Sequence, residues 1–406
     1  MGVNTLPPTP PSSESEIPIK KPITSSPSEI ASRKPEPNTL FPEITSCKPE
    51  PNTLFPEITS CKPEPNTLLP DRLSNLSDDI LLHILACLND TKYAVQTSVL
   101  SKGWRHLWTS VEELYFHRES FYRDSSFHNF VRAVLTDRRR QNCRVDRFRY
   151  YADLDTTMLT EVTSYALSRG ARELVIAYPS YHGGAILPDL SSGSPTLKTL
   201  HLGKLYIRRS SFGHSMLRLT SLHLEWVQAT PGCFGECFDI FNIFPNLTNL
   251  SLSGCSLGGA NLKITGPKLV SFKLHHLIGV GLIELSLQNL EVFEYTSAYM
   301  EALVFSSINL PSLRHADLDV NLGRLPKYGH SMVKVLQGIR NVESLVINLK
   351  ALEESGLLEN QNSRFRNLKY LKFRDMFPRR VVPATVFTYF TSGTQYSQDL
   401  EFEFML

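Results

Sequence analysis

Twelve histidines and seven cysteines supply the side chains from which a metal site or a nucleophilic centre could be assembled. Cys233 and Cys237 have three residues between them, which resembles half of a zinc site. No second cysteine pair stands at zinc-site spacing, so both read as ordinary thiols. His275 and His276 are adjacent, and on a strand one would point out and the other in, a matter of register and not of ligation. Arg138, Arg139 and Arg140, with Arg132, Arg144, Arg147 and Arg149 nearby, have the composition of an import signal or a nucleic-acid patch; a solvated connector is the favoured reading. The sequence holds no Walker loop, dinucleotide fingerprint, nucleophile elbow or HExxH zinc motif. No catalytic residue, metal or cofactor is expected, and the chain should not be an enzyme. Its function should lie in surfaces that hold other macromolecules.

Charge and composition narrow the partners. Forty-two Lys and Arg face 40 Asp and Glu over 406 residues, so no basic excess argues for nucleic acid or anionic lipid. No run of 18 apolar residues and no leader-like opening occurs, which predicts a protein without a membrane partner, in the nucleus and/or cytoplasm. An odd number of scattered cysteines fits reduced thiols in such a compartment. Of 26 prolines, 16 lie in residues 1–70. That segment is poor in aromatics and is expected to be a disordered tail. It contains a 14-residue tandem repeat beginning at residues 33, 47 and 61, which reads as a duplicated linker more readily than as a set of binding motifs.

Residues 71–111 change character. Ser77 can cap a helix whose first turn carries Asp78 and Asp79, with Leu76 and Leu81 placed as a hydrophobic staple. Ile80, Leu81, Ile84, Leu85 and Leu88 form one apolar stripe. Tyr93, Val95, Val99 and Leu100 supply a second short helix, and Ser101 heads a third in which Trp104, Leu107, Trp108 and Val111 recur at helical spacing. Three helices in forty residues carry more apolar surface than they can bury, so this unit expects a partner.

The stretch resembles an F-box of the plant type: Leu76-Ser77-Asp78-Asp79-Ile80-Leu81 corresponds to the opening Leu-Pro-x-Glu-Ile-Leu, and TSVLSKGWRHLW at 97–108 to the ending. Ser77 replaces the usual Pro, and Gly103 replaces a usual basic residue. The resemblance implies docking onto a Skp-type adaptor and, through it, onto cullin and RING subunits. Leu76, Ile80, Leu81, Leu100 and Trp104 are the positions expected to make or support that contact.

From residue 145 a Leu-x-x-Leu-x-Leu pattern recurs. Its fourth position falls at Phe148, Leu174, Leu200, Leu222, Leu250, Phe272, Phe293, Ala316, Leu345 and Leu371, at intervals averaging about 25 residues. Such repeats cannot close a core singly and stack into a solenoid. The predicted fold is therefore α/β: a disordered tail (1–70), a small three-helix F-box (71–111), a connector (112–144), and a curved leucine-rich-repeat solenoid (145–406) with a parallel β-sheet on its concave face, a mostly looped convex side and a C-terminal capping strand near Leu400, Phe402 and Phe404. Many proteins of this type carry a further module called FBD, of which no full copy is recognised here. Strand alternation points His201, His223, Lys273, His275, Glu294, Asp317, Asp319, Lys372 and Arg374 outward from the sheet. They predict a charge-banded face for an unknown protein substrate. The resemblance implies the substrate-recognition subunit of an SCF-type ubiquitin ligase; the alternative is a non-degradative Skp-binding scaffold that never assembles with cullin.

Overall fold

The structure is a computed structural model. It describes residues 73, 76–152, 155–177, 185–190, 195–212, 216–230, 237–297, 304–320, 332, 334–348, 352, 365–374, 384–391 and 401–405. The Pro-rich tail with its repeats, Cys233 and Leu400 lie outside them.

Helix α1 (Asp78–Ala86) begins where the sequence places it, after an extended Ser77. The Ser77 hydroxyl makes no capping bond; the Ser77 carbonyl accepts from the amides of Ile80 and Leu81, and the two aspartates meet the helix dipole. Leu81 and Leu85 turn inward. Asn89 then takes a left-handed φ of 52°, and Asp90 caps α2 (Thr91–Gln96) by accepting from the Lys92 amide at 2.8 Å. The expected third helix is instead a run of turns ending in a 3-10 turn at Leu107–Ser110. Gly103 weakens helix propensity by about 1 kcal/mol, and the Thr109 hydroxyl bonds the His106 carbonyl at 2.6 Å, an alternative to the helical ladder. Trp104 and Trp108 still reach the core.

Strands and helices alternate next: β1 (Glu113–His117), α3 (Asp124–Arg140), β2 (Arg147–Tyr151), α4 (Thr156–Ser168) and β3 (Glu173–Ala177). Residues 112–144 are thus no connector. They hold the first strand of the sheet and a 17-residue helix. Strands β4 (Thr199–Gly203), β5 (Tyr206–Ile207), β6 (Ser221–Glu225) and β7 (Gln228–Ala229) follow. Then come β8 (Cys237–Asp239), β9 (Asn249–Ser253), β10 (Asn261–Ile264), β11 (Ser271–His275), β12 (Leu282–Ser286), β13 (Val292–Ser297) and β14 (Val304–Asn309). Strands β15 (His315–Val320), β16 (Ser344–Asn348) and β17 (Tyr370–Arg374), helix α5 (Ala384–Thr391) and strand β18 (Glu401–Met405) follow among the described residues.

Among the described residues twelve strands form one sheet in the order β1-β2-β3-β4-β6-β9-β11-β13-β15-β16-β17-β18. Phe148 pairs with Leu174, Leu174 with Leu200, and so on through every one of the ten repeat positions to Leu371, always in parallel register. All ten are exposed by 1% or less. Each buried leucine or phenylalanine of this column contributes about 1.5–3 kcal/mol. Leu114 extends the column at one end, and at the other the expected terminal strand sets Phe402 in register with Leu371. Among the described residues, the side away from this sheet holds more than loops. It carries α3, α4 and two smaller parallel sheets, β8-β10-β12-β14 and β5-β7.

The chain leaves four neighbouring strands through one recurring corner. Lys204, Trp226, Gly254 and His276 all have φ between 48° and 61°, and each follows the last residue of β4, β6, β9 or β11. Their amides donate to Glu225, Ser253, His275 and Thr296, adding one rung to the ladder as the backbone turns. At Gly254 a Cβ would sit 2.5 Å from the Trp226 ring, so glycine is required sterically as well as for its φ of 61°. Gly254→Ala should therefore lower unfolding free energy by about 1–3 kcal/mol in urea titration, and a loss under about 0.3 kcal/mol would contradict this account.

Candidate docking and recognition surfaces

The helical unit fills its own interior and leaves other apolar side chains in solvent. Leu81, Leu85, Trp104 and Trp108 are buried, the first and third to 4% and 3% exposure. Leu73, Ile80, Leu88, Tyr93, Val99 and Leu100 are exposed, Val99 by 84% and Leu100 by 60%. Half of the exposed large apolar side chains among the described residues therefore fall between positions 73 and 100. Such a concentration on one small unit marks an interaction surface. The five positions singled out from sequence divide accordingly: Ile80 and Leu100 face solvent, Leu76 is half-buried, and Leu81 and Trp104 support from within. Leu73, Tyr93 and Val99 were missed, because helical periodicity assigns Tyr93 and Val99 to the core stripe.

This unit is bolted to the sheet. The Tyr115 amide of β1 donates to the Thr91 hydroxyl at 2.9 Å, and the Ser120 hydroxyl to Asp90 at 2.5 Å. Arg138 of α3 is fully buried. Its guanidinium donates to the carbonyls of Arg144 (2.9 Å) and Trp108 (3.4 Å) and to the Tyr165 hydroxyl (3.4 Å), joining the helical unit, the end of α3 and α4. The arginine run is thus not a uniform solvated patch: Arg138 is structural, while Arg132 and Arg139 both reach Glu161.

On the open face of the sheet the predicted recognition residues line up in two rows. His201, His223, Ser251, Lys273, Glu294, Asp317, Val346 and Lys372 are register neighbours in sequence order. Glu225, Ser253, His275, Thr296 and Asp319 form the second row, with Asn348 and Arg374 beyond. The charged bands expected from sequence are compensated within the chain. Lys273 reaches Glu294 at 2.9 Å, and Arg374 crosses β16 to hold Asp317 at 2.7 Å and Asp319 at 3.7 Å. At the other end Arg149 lies 2.7 Å from Glu173 and 5.0 Å over the Tyr115 ring. Burial, then the hydrogen bond with Glu113, pushes the Tyr115 phenol up to about 12. Between these ends His201 and His223 stand with ring centres 5.9 Å apart, and Glu225 lies 3.6 Å from His201.

Burial shapes the titration of this face. It holds Asp317 above its usual value, against the pull of Arg374. It also lowers His223, with help from His201 and Lys273, and lowers His275 despite Glu294. Nothing among the described residues assembles a metal site. Cys255 is buried and its thiol is raised to about 12, far from a reactive thiolate.

A family model described as the F-box domain matches residues 73–115. The chain carries an F-box. The match runs into β1, so F-box and sheet share an element and the boundary expected at 111 does not exist as a break. Over most of its length the chain is similar to F-box/LRR-repeat proteins of Arabidopsis thaliana. One is 28% identical over 343 residues, 75% of this chain and 72% of the relative; another is 26% identical over 353 residues, 77% and 68%. An F-box/FBD/LRR-repeat protein of the same plant is 30% identical over 221 residues, half of this chain and 49% of its own.

Two outcomes are expected. Arg138→Met keeps the length but removes every donor, taking one partner each from the Arg144 carbonyl, the Trp108 carbonyl and the Tyr165 hydroxyl; it should cost about 1–3 kcal/mol in chemical unfolding, and a cost below about 0.5 kcal/mol would refute the clamp. Because His223 and His275 have lowered folded-state values, the folded protein binds fewer protons than the unfolded chain below about pH 6.5. Their stability contribution is present above that pH and lost as pH falls through it. The fall in urea midpoint from pH 7 to pH 5 should be smaller in the His223→Asn, His275→Asn double variant than in the native protein.

Proposed function

We propose that the chain is the substrate-recognition subunit of an SCF-type ubiquitin ligase in the nucleus or cytoplasm, its F-box docked on a Skp-type adaptor and its sheet face holding the protein to be modified. The reading rests chiefly on one observation: Ile80, Val99 and Leu100 stay in solvent although the F-box has its own filled core. An apolar surface so placed is explained by a partner. Cullin and RING subunits would join through the adaptor. The contribution to ubiquitin transfer is then proximity, supplied by non-catalytic surfaces. Position on the sheet makes His201, His223, Lys273, His275, Glu294, Asp317, Asp319, Lys372 and Arg374 the proposed substrate contacts, and compensation among them favours recognition by shape and hydrogen bonding over net charge.

Co-purification tests this. Leu100→Asp should abolish capture of adaptor and cullin while leaving the unfolding free energy within about 0.5 kcal/mol of native. Trp104→Ala should lose about 3–5 kcal/mol and lose capture by failing to fold. Full adaptor capture by Leu100→Asp would refute the docking surface, and adaptor capture by the native chain without cullin would favour the scaffold alternative.

A further inference from the structure

A cavity of about 370 Å³ lies away from the recognition face, between β14 and a helical turn at residues 334–338. Ser306, Ser307, Asn309, Lys334, Gln337 and Arg340 line it, two cations with no carboxylate among the described lining residues. The backbone builds this arrangement. The register of β12 and β14 shifts between Ile283 and Glu284, where Ser306 is the extra residue of a bulge. Such insertions re-aim the side chains around them. The Ser306 hydroxyl turns back to the Ile283 carbonyl at 3.0 Å, and Ser307 stays exposed. On the other wall, Gly338 brings the helical turn so close that a Cβ there would lie 2.2 Å from the Ile308 side chain. Lys334 is held beside the strand by a 3.3 Å bond to the Ser306 carbonyl, which uses one of its three ammonium donors.

We propose that this cavity binds a phosphoryl group. Lys334 and Arg340 together offer two positive charges, matching the near −2 charge of a phosphate monoester at neutral pH. Lysine supplies a point charge and arginine a planar fork, the pair of donors that phosphate oxygens accept best. Ser307 and Gln337 add neutral donors for a third oxygen; a carboxylate has only two oxygens and one charge, and would leave part of this set unused. The phosphoryl group could be borne by a phosphorylated protein or by a small phosphate ester. The proposal does not rest on the F-box reading, because the docking side chains lie in a different part of the chain.

Calorimetric titration of the full-length chain at low salt with three probes tests it: inorganic phosphate, a phosphoserine peptide, and the same peptide unphosphorylated. Saturable binding of the first two and none of the third is expected. Lys334→Gln and Arg340→Gln should each weaken binding about tenfold with the thermal midpoint unchanged, whereas Lys268→Gln, outside the cavity, should not weaken it. Tighter binding of the phosphopeptide than of free phosphate would support a protein source, and the reverse order a small molecule. Equal binding of the unphosphorylated peptide, no saturable binding at millimolar probe, or undiminished binding by the double variant Lys334→Gln, Arg340→Gln would overturn the proposal.

Discussion

A parallel strand has hydrogen-bonding groups on both edges and an apolar side that its own turn of chain cannot cover, so each repeat is stable only with a neighbour in register on either side. That requirement runs through the whole arm. It places Phe148, the eight repeat positions that follow and Leu371 in one buried column, and it lets the crossover pieces vary from 17-residue α3 to two-residue β5. It also accounts for the left-handed corners at Lys204, Trp226, Gly254 and His276, where the chain adds a rung before leaving the sheet. Three of those corners are not glycine, and each carries a local strain of about 1–2 kcal/mol that the ladder offsets.

The same ladder needs a beginning, and here the F-box and the sheet are interdependent. β1 has β2 on one edge and packs against α2, with the Tyr115 amide taken by Thr91. Arg138, buried among neutral acceptors from three elements, ties the F-box carbonyl of Trp108 to α4. The exposed apolar side chains of the F-box and the open face of the sheet are therefore parts of one compact unit, 69–406, joined by packed structure and not by a tether.

Electrostatics on the open face of the sheet follow from strand spacing. Neighbouring parallel strands lie about 4.8 Å apart, close enough for a side chain to reach the next strand and, for arginine, the one beyond. Charges that form bands in the sequence are thereby paired: Lys273 with Glu294, and Arg374 with Asp317 and Asp319. The region on the far side of Lys273 from these pairs, around His201, His223 and Ser251, carries fewer charges, and burial biases the His223 imidazole toward its uncharged form.

The order of the main strands from β2 to β17, the inward positions and the F-box were legible because each depends on local periodicity: alternation within a strand, recurrence near 25 residues, and paired tryptophans at a helical interval. Strand β1 was not, since Glu113-Leu114-Tyr115-Phe116-His117 follows directly on the F-box motif and lacks the leucine pattern. Tertiary structure alone decided which apolar side chains of the F-box stay outside, because Val99 and Trp104 are equally apolar in sequence and differ only in where the turns after Ser101 carry them. It alone decided the partners on the sheet too: Arg374 and Asp317 are 57 residues apart in the chain and meet only once β16 is seated between them. Periodicity says which way a side chain points; only the stacked register says what it points beside.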